Sequence, residues 1–138
     1  KIFNDYKFFG IGPRQYRNKC KEYSISELSC QSHPHNTYIE LLSEAGVFAF
    51  LIVFGIFILT VYFSIIHFFK NFLKSKEKIF NDFELCIISA ILISIWPFTP
   101  TGSFFNNWMS IVYYFPVGML LWQRSKNQKL LKKTEKVE

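Results

Sequence analysis

The sequence predicts an all-α membrane protein, with three transmembrane helices preceded by an external loop and an interfacial amphipathic helix. Three observations carry that expectation. Half of the 138 residues are hydrophobic, 17 of them Phe, yet 16 Lys and Arg stand against 10 Asp and Glu. These charges are segregated into blocks separated by long uncharged stretches, where a soluble domain would scatter them. Trp96, Trp108 and Trp122 fall near the ends of those stretches, where amphipathic rings favour a membrane interface. The first residue is Lys, and no apolar segment with a cleavage site precedes the first loop, so the chain is expected to start mid-protein.

The first uncharged stretch, residues 46–69, has only His67 as a titratable group; at 1.5 Å per residue it reaches ~36 Å, enough to span with some tilt. His67 is expected at the cytoplasmic interface. The second stretch, from Leu85 to Gln123, is too long for one span and just long enough for two short ones. Its middle, around residues 97–107, holds Pro97, Pro100, Gly102 and small polar residues, which is turn chemistry. The expected helices are Leu85 to Trp96 and Trp108 to Trp122, a hairpin whose turn is periplasmic. A re-entrant stretch that never crosses is the alternative. No internal repeat or low-complexity segment interrupts this plan.

Orientation follows from the lysines. Lys70, Lys74, Lys76 and Lys78 lie in the linker, residues 70–84, and Arg124, Lys126, Lys129, Lys132, Lys133 and Lys136 in the tail, residues 123–138. The positive-inside rule makes both cytoplasmic and residues 1–45 external. A solvated tail against anionic lipid is the reading favoured for the last block. The external segment nevertheless carries Lys1, Lys7, Arg14, Arg17, Lys19 and Lys21. An anionic ligand would explain that excess; upstream helices that fix the topology would explain it equally. Arg14 and Arg17 follow Gly10-Ile-Gly12-Pro13, a tight turn able to bring peptide N–H groups and two guanidiniums to one phosphate. The motif lacks the flanking strand and full glycine pattern of a dinucleotide site.

Cys20 and Cys30 lie in the external loop, where oxidation is permitted, and a disulfide between them is expected. Closing a loop of that size contributes on the order of 2 to 3 kcal/mol. A metal site built from Cys20, Cys30, His33 and His35 is the rival, with a spacing that matches no common zinc pattern. Cys86 falls inside an expected span and reads as an inert apolar residue.

The segment from Ser32 to Gly46 is the most informative. Pro34 suits the first helical position, and Tyr38, Leu41, Leu42 and Ala45 recur at amphipathic spacing, which predicts a helix at the interface. That start would place His35 in the first turn, where the helix dipole keeps imidazole neutral and able to accept a proton. Asn36, Glu40 and Glu44 would share one polar face beside it. On a purely structural reading, the histidines cap the helix and that face is solvated.

The block His35-Asn36 followed by nine residues and Gly46 resembles the signature of the O-antigen ligase family, which includes O-antigen ligases, O-antigen polymerases and protein O-oligosaccharyltransferases. The family pattern continues after two residues with Gly, Thr or Tyr, where this chain has Ala49. Phe9-Gly-Ile-Gly-Pro-Arg-Gln-Tyr-Arg17, the paired cysteines and Trp96-Pro-Phe-Thr-Pro-Thr-Gly-Ser-Phe-Phe-Asn-Asn-Trp108 also resemble family members. The resemblance implies the C-terminal part of a larger polytopic glycosyltransferase of the GT-C type in the bacterial inner membrane. Such a protein moves a glycan from undecaprenyl-pyrophosphate to a lipid or glycan acceptor in surface polysaccharide synthesis. On that reading His35 is the base, Arg14 and Arg17 hold the pyrophosphate, and His33, Asn36 and Glu40 support them. The implied partners are the lipid-linked glycan, the acceptor and membrane lipids, with no nucleic acid, no cofactor and no metal. Two other readings compete. A transporter would need ionisable residues inside its spans, which these lack apart from the peripheral His67. A non-enzymatic anchor with a disulfide-bonded recognition loop would share the basic, aromatic character of residues 1–45.

Overall fold

A computed structural model describes residues 1–23, 30–73 and 79–134. Lys74, Lys76 and Lys78 of the expected linker and Lys136 of the tail lie outside them. The described elements are helical, with no strand among them: α1 (Ile2–Asp5), α2 (Tyr16–Tyr23), α3 (Thr37–Glu40), a wide π-helical turn (Leu41–Ala45), α4 (Gly46–Phe72), α5 (Asp82–Ser94) and α6 (Asn107–Thr134). One helical run among the described residues, Thr37–Phe72, is long and apolar enough to cross a membrane. Along α4 the large apolar side chains are mostly uncovered, among them Phe48, Leu51, Ile52, Leu59, Phe63 and Phe68. A helix of that composition in a water-soluble core would be covered, whereas lipid or further apolar helices satisfy these side chains without it.

The helix ends differ from the expected ones for local reasons. The α4 helix runs past Phe69 to Phe72, because nothing in Lys70-Asn-Phe72 breaks it and Lys70 favours the negative end of its dipole. The α5 helix starts at Asp82 and not Leu85. Asn81 and Glu84 form a capping box there, with Glu84 N–H donating to Asn81 Oδ1 at 2.8 Å and Asn81 N–H to Glu84 Oε2 at 3.0 Å. Its 13 residues rise about 20 Å, short of a hydrocarbon core of about 30 Å. The α6 helix continues from Trp122 through the basic block to Thr134, since Gln123 to Thr134 holds good helix formers and neither Gly nor Pro. The edge of an apolar stretch marks an expected membrane boundary, which need not end a helix.

Contacts divide the chain into two compact units: Lys1–Leu59 with Ile95–Ser110, and Thr60–Ser94 with Ile111–Glu138. The first is organised by the break at Gly46. The wide turn before it leaves the Ser43 and Glu44 carbonyls unpaired within the helix, and they accept from Ile11 N–H (3.0 Å) and Gly12 N–H (2.9 Å). Val47 N–H, freed on the other side of the break, donates to the Lys7 carbonyl at 2.8 Å. Residues 7–12 are thereby stitched to residues 43–47 backbone to backbone. Such proximity leaves no room for side chains at the crossing. Gly10 (φ +65°) and Gly46 (φ +79°) have left-handed backbones, and a Cβ on Gly10 would overlap the Glu44 backbone, as one on Gly46 would overlap that of Phe8.

Below the break an aromatic stripe on α4 packs the unit. Phe50 and Phe54 stack at 5.3 Å, Phe54 and Phe57 lie 6.1 Å apart, and Phe57 meets Trp96 edge-on at 5.6 Å. Buried Tyr38 stands edge-on to Phe50 and Phe54, each at 5.9 Å, and donates its hydroxyl to the Ile95 carbonyl at 2.6 Å.

In the second unit, buried His67 accepts at Nδ1 from Phe80 N–H at 3.3 Å. Arg124 lies over the Phe80 ring, 5.1 Å from its centroid, and 3.7 Å from the buried Glu84 carboxylate. The capping-box carboxylate of α5 is thus also the anionic partner of α6. Cys86 is a free, exposed thiol on α5.

Gly46→Ala should lower the thermal midpoint of the purified full-length protein by several degrees, or prevent its recovery. The new methyl combines left-handed strain of about 1–2 kcal/mol with a backbone clash. Gly55→Ala, on the same helix with open space around it, should be neutral or slightly stabilising. Equal melting of the two variants would show that the crossing is not a constraint.

Candidate functional site

The short helix α3 is the hub of the site. Asn36, and not a residue before Pro34, caps it: its Oδ1 accepts from Tyr38 N–H (3.0 Å) and Ile39 N–H (3.1 Å). Its Nδ2 donates to the Pro97 carbonyl at 2.7 Å. His35 therefore lies outside the helix, on an exposed loop, and the expectation that the first-turn dipole tunes its ring is corrected. The polar Asn side chain outcompeted Pro34 for the start, because it satisfies two orphan N–H groups where Pro34 satisfies none. The His35 carbonyl accepts from Thr101 N–H (3.1 Å), and Thr37 Oγ1 lies 2.8 Å from Thr101 Oγ1. Residues 95–105 thus run along α3 through a continuous series of polar contacts.

The expected polar face is neither solvated nor gathered around His35. Glu40 (0 % exposed) and Glu44 (1 %) are among the most deeply buried side chains of the described residues. Buried carboxylates require strong donors. Glu40 accepts from Ser103 Oγ at 2.6 Å and Phe104 N–H at 2.7 Å. Glu44 accepts from Arg14 N–H at 2.5 Å and Tyr16 N–H at 2.9 Å. Burial pushes the Glu44 carboxyl above the ordinary carboxylate value, against the pull of those two N–H groups. One acid captures the turn after Trp96, the other the turn after Gly12. Arg14 itself sits at φ +61°, a left-handed position held by this capture.

Between the two captured turns lies a cleft of about 750 Å³, lined by Arg14, Arg17, Asn18, Ser32, His33 and Glu44 on one side of the sequence and by Ser103, Asn106 and Trp108 on the other. Arg14 Nε donates to the Phe105 carbonyl at 3.1 Å, which leaves its terminal nitrogens for a ligand. The expected pair Arg14 and Arg17 is therefore brought together, and His33 with it. His35 does not line the cleft; its ring packs edge-on against that of His33, with centroids 4.7 Å apart, and its Nε2 pairs with Gln31 Oε1. Cys20 and Cys30 are joined by a disulfide with Cα atoms 5.6 Å apart, which uses both thiols and removes them from the rival metal set. No group of three or more His, Cys, Asp or Glu among the described residues is arranged to hold a metal ion. Sequence reasoning missed Glu44 as a latch, together with Ser103 and Asn106. The acid spacing was visible, but its partners lie about 30 and 60 residues away, as the Arg14 to Glu44 and Glu40 to Ser103 bonds show.

The residues that build this site from the N-terminal side fall in one contiguous segment. Residues 1–54 match the O-antigen ligase family. The match takes in Arg14 and Arg17, His33 and His35, Asn36, the two acids and Gly46. No curated protein and no solved structure matches the chain. The match covers the first 54 residues and makes that segment similar to O-antigen ligases, a family of polysaccharide biosynthesis. An O-antigen ligase-type segment and an apolar helix together indicate a membrane protein.

Glu44→Ala should free the 14–16 turn. The amides of Arg14 and Tyr16 should then exchange with deuterium at least tenfold faster, since hydrogen bonds to charged groups contribute ~1.5–3 kcal/mol each. Glu44→Gln, which keeps one acceptor oxygen, should fall between. Unchanged protection in Glu44→Ala would contradict the latch.

Proposed function

We propose that this chain is the C-terminal part of an inner-membrane glycosyltransferase that moves a glycan from undecaprenyl-pyrophosphate to a lipid or glycan acceptor. The observation that carries the reading is the cleft. Two arginines and a histidine, drawn from a ligase-type segment, face one opening of substrate size. In the topology that goes with it, residues 1–45 and the turn at 97–107 lie on the periplasmic side. The α4 helix crosses once, α5 and α6 form the hairpin of the second and third spans, and the linker and basic end of α6 are cytoplasmic. The contact of Glu84 with Arg124 supports the hairpin, since it joins the start of α5 to the end expected on the same side.

The chemistry is an inverting displacement at the anomeric carbon. The acceptor oxygen forms its bond to C1 as the C1–O bond to pyrophosphate breaks, and the lipid pyrophosphate departs with the electron pair. Arg14 and Arg17 hold the charge that develops on it. His35 takes the acceptor's proton. With Gln31 Oε1 as the acceptor of its Nε2–H, Nδ1 of His35 is left to receive that proton. His33 packs against the His35 ring and limits its rotation.

In a strain lacking its own ligase, the full-length protein should transfer glycan, and His35→Ala at matched expression should lose at least a hundredfold of that activity. Arg14→Ala and Arg17→Ala should be equal or weaker in effect. Full transfer by His35→Ala would leave this loop a structural or acceptor-binding element.

A further inference from the structure

The ring of His33 has a feature that its packing role does not use. Nε2 is shielded from solvent and has no hydrogen-bond partner among the described residues. A buried ring nitrogen without a partner is unfavourable, and native proteins keep such a group chiefly where a ligand or water completes it. Nδ1 is already engaged, 2.9 Å from Ser32 Oγ. With that hydroxyl donating to Nδ1, the ring proton lies on Nε2 and makes it a donor. The same ring lines the cleft that Arg14 and Arg17 line.

We propose that His33 Nε2–H is a third donor to the diphosphate group bound in this cleft, completing a site whose other donors are Arg14 and Arg17. The inference rests on the transferase reading for the identity of the donor lipid, and on the cleft alone for the diphosphate. The doubly esterified diphosphate of the donor presents four non-bridging oxygens in two tetrahedra, and five once the glycan has left, each able to accept more than one hydrogen bond, and an anion there supplies the partner that Nε2 lacks. The two external histidines then divide the work. His35, exposed on the loop, receives the acceptor's proton, while His33 holds the leaving group and takes no proton in the reaction. Both rings are fixed by neighbours one or four residues away in sequence, Ser32 on His33 and Gln31 on His35.

The test uses the full-length protein in lipid nanodiscs, with His33→Ala and His33→Gln. Gln places an amide N–H close to the position of Nε2 and cannot act as a base at neutral pH. Transfer kinetics are measured with undecaprenyl-pyrophosphate-linked glycan. Binding of inorganic pyrophosphate, with chelator present to exclude metal, is followed separately by thermal shift. His33→Ala should raise KM for the lipid donor by about ten- to a hundredfold, the equivalent of one charge-assisted hydrogen bond, with kcat within about threefold. The apparent Kd for pyrophosphate should rise in parallel. His33→Gln should recover most of both. An unchanged KM and Kd in His33→Ala would overturn the proposal, as would a His33→Gln variant whose kcat, and not KM, is lost. If His33→Ala fails to fold, His33→Gln against wild type decides between donor and base. If wild type binds pyrophosphate but transfers no glycan, the transferase reading fails while the pyrophosphate comparison still judges His33. Tight binding of the lipid donor without measurable binding of free pyrophosphate, at an altered KM in His33→Ala, would assign the diphosphate to the lipid headgroup alone.

Discussion

The backbone crossing at Gly10 and Gly46 is the constraint on which the rest of the first unit depends. A long apolar helix that ran unbroken from Thr37 to Phe72 would satisfy its own hydrogen bonds and offer nothing to a neighbouring loop. The wide turn at Leu41–Ala45 and the left-handed Gly46 interrupt it, and three backbone bonds from residues 7–12 complete the freed groups. The cost of leaving those groups bare fixes the basic loop on the helix. Because only glycine fits where the two strands of chain cross, the loop's register against the helix is fixed as well.

Once the loop is placed, the two acids convert one short helix into a frame for two remote turns. Each carboxylate buries itself by accepting from backbone N–H groups or a hydroxyl rather than from a cation. That arrangement leaves the guanidiniums of Arg14 and Arg17 unneutralised by the nearest acids and keeps the cleft cationic. An ion pair between Glu44 and either arginine would have placed the same residues together and cancelled the charge an anionic ligand needs. The disulfide ties Cys20, at the end of the same loop, to Cys30.

Much of the architecture was legible in the sequence, and the misses have physical causes. Composition and charge blocks gave helices and an apolar span, because hydropathy reports burial or lipid directly. The block Gly10-Ile-Gly12-Pro13 read as a turn bringing peptide N–H groups and two guanidiniums to one phosphate; both arginines do line one cleft, but the N–H groups of Ile11, Gly12, Arg14 and Tyr16 are taken by Ser43 and Glu44. The start of the Ser32–Gly46 helix was misplaced because Pro34 and Asn36 both carry start signals, and the choice between them is made by Pro97 and Thr101, far along the chain. The face of Asn36, Glu40 and Glu44 was read as one site on one helix. It is instead three anchors for two loops, which helical periodicity alone has no means to show. The capping box at Asn81 and Glu84 was the missed signal that did lie within reach, four residues before the charge-free stretch that set the expected boundary.

The convergence of three separate sequence blocks on one short helix is the central claim, and a cross-link tests it most directly. Thr37→Cys with Thr101→Cys, in the full-length protein in native membranes, replaces two hydroxyls that lie 2.8 Å apart. An oxidant should join them in high yield, detected after cleavage of the chain between the two positions. Failure to cross-link, with each single cysteine still open to the same reagent, would separate residues 95–105 from the helix at Thr37 and dissolve the cleft.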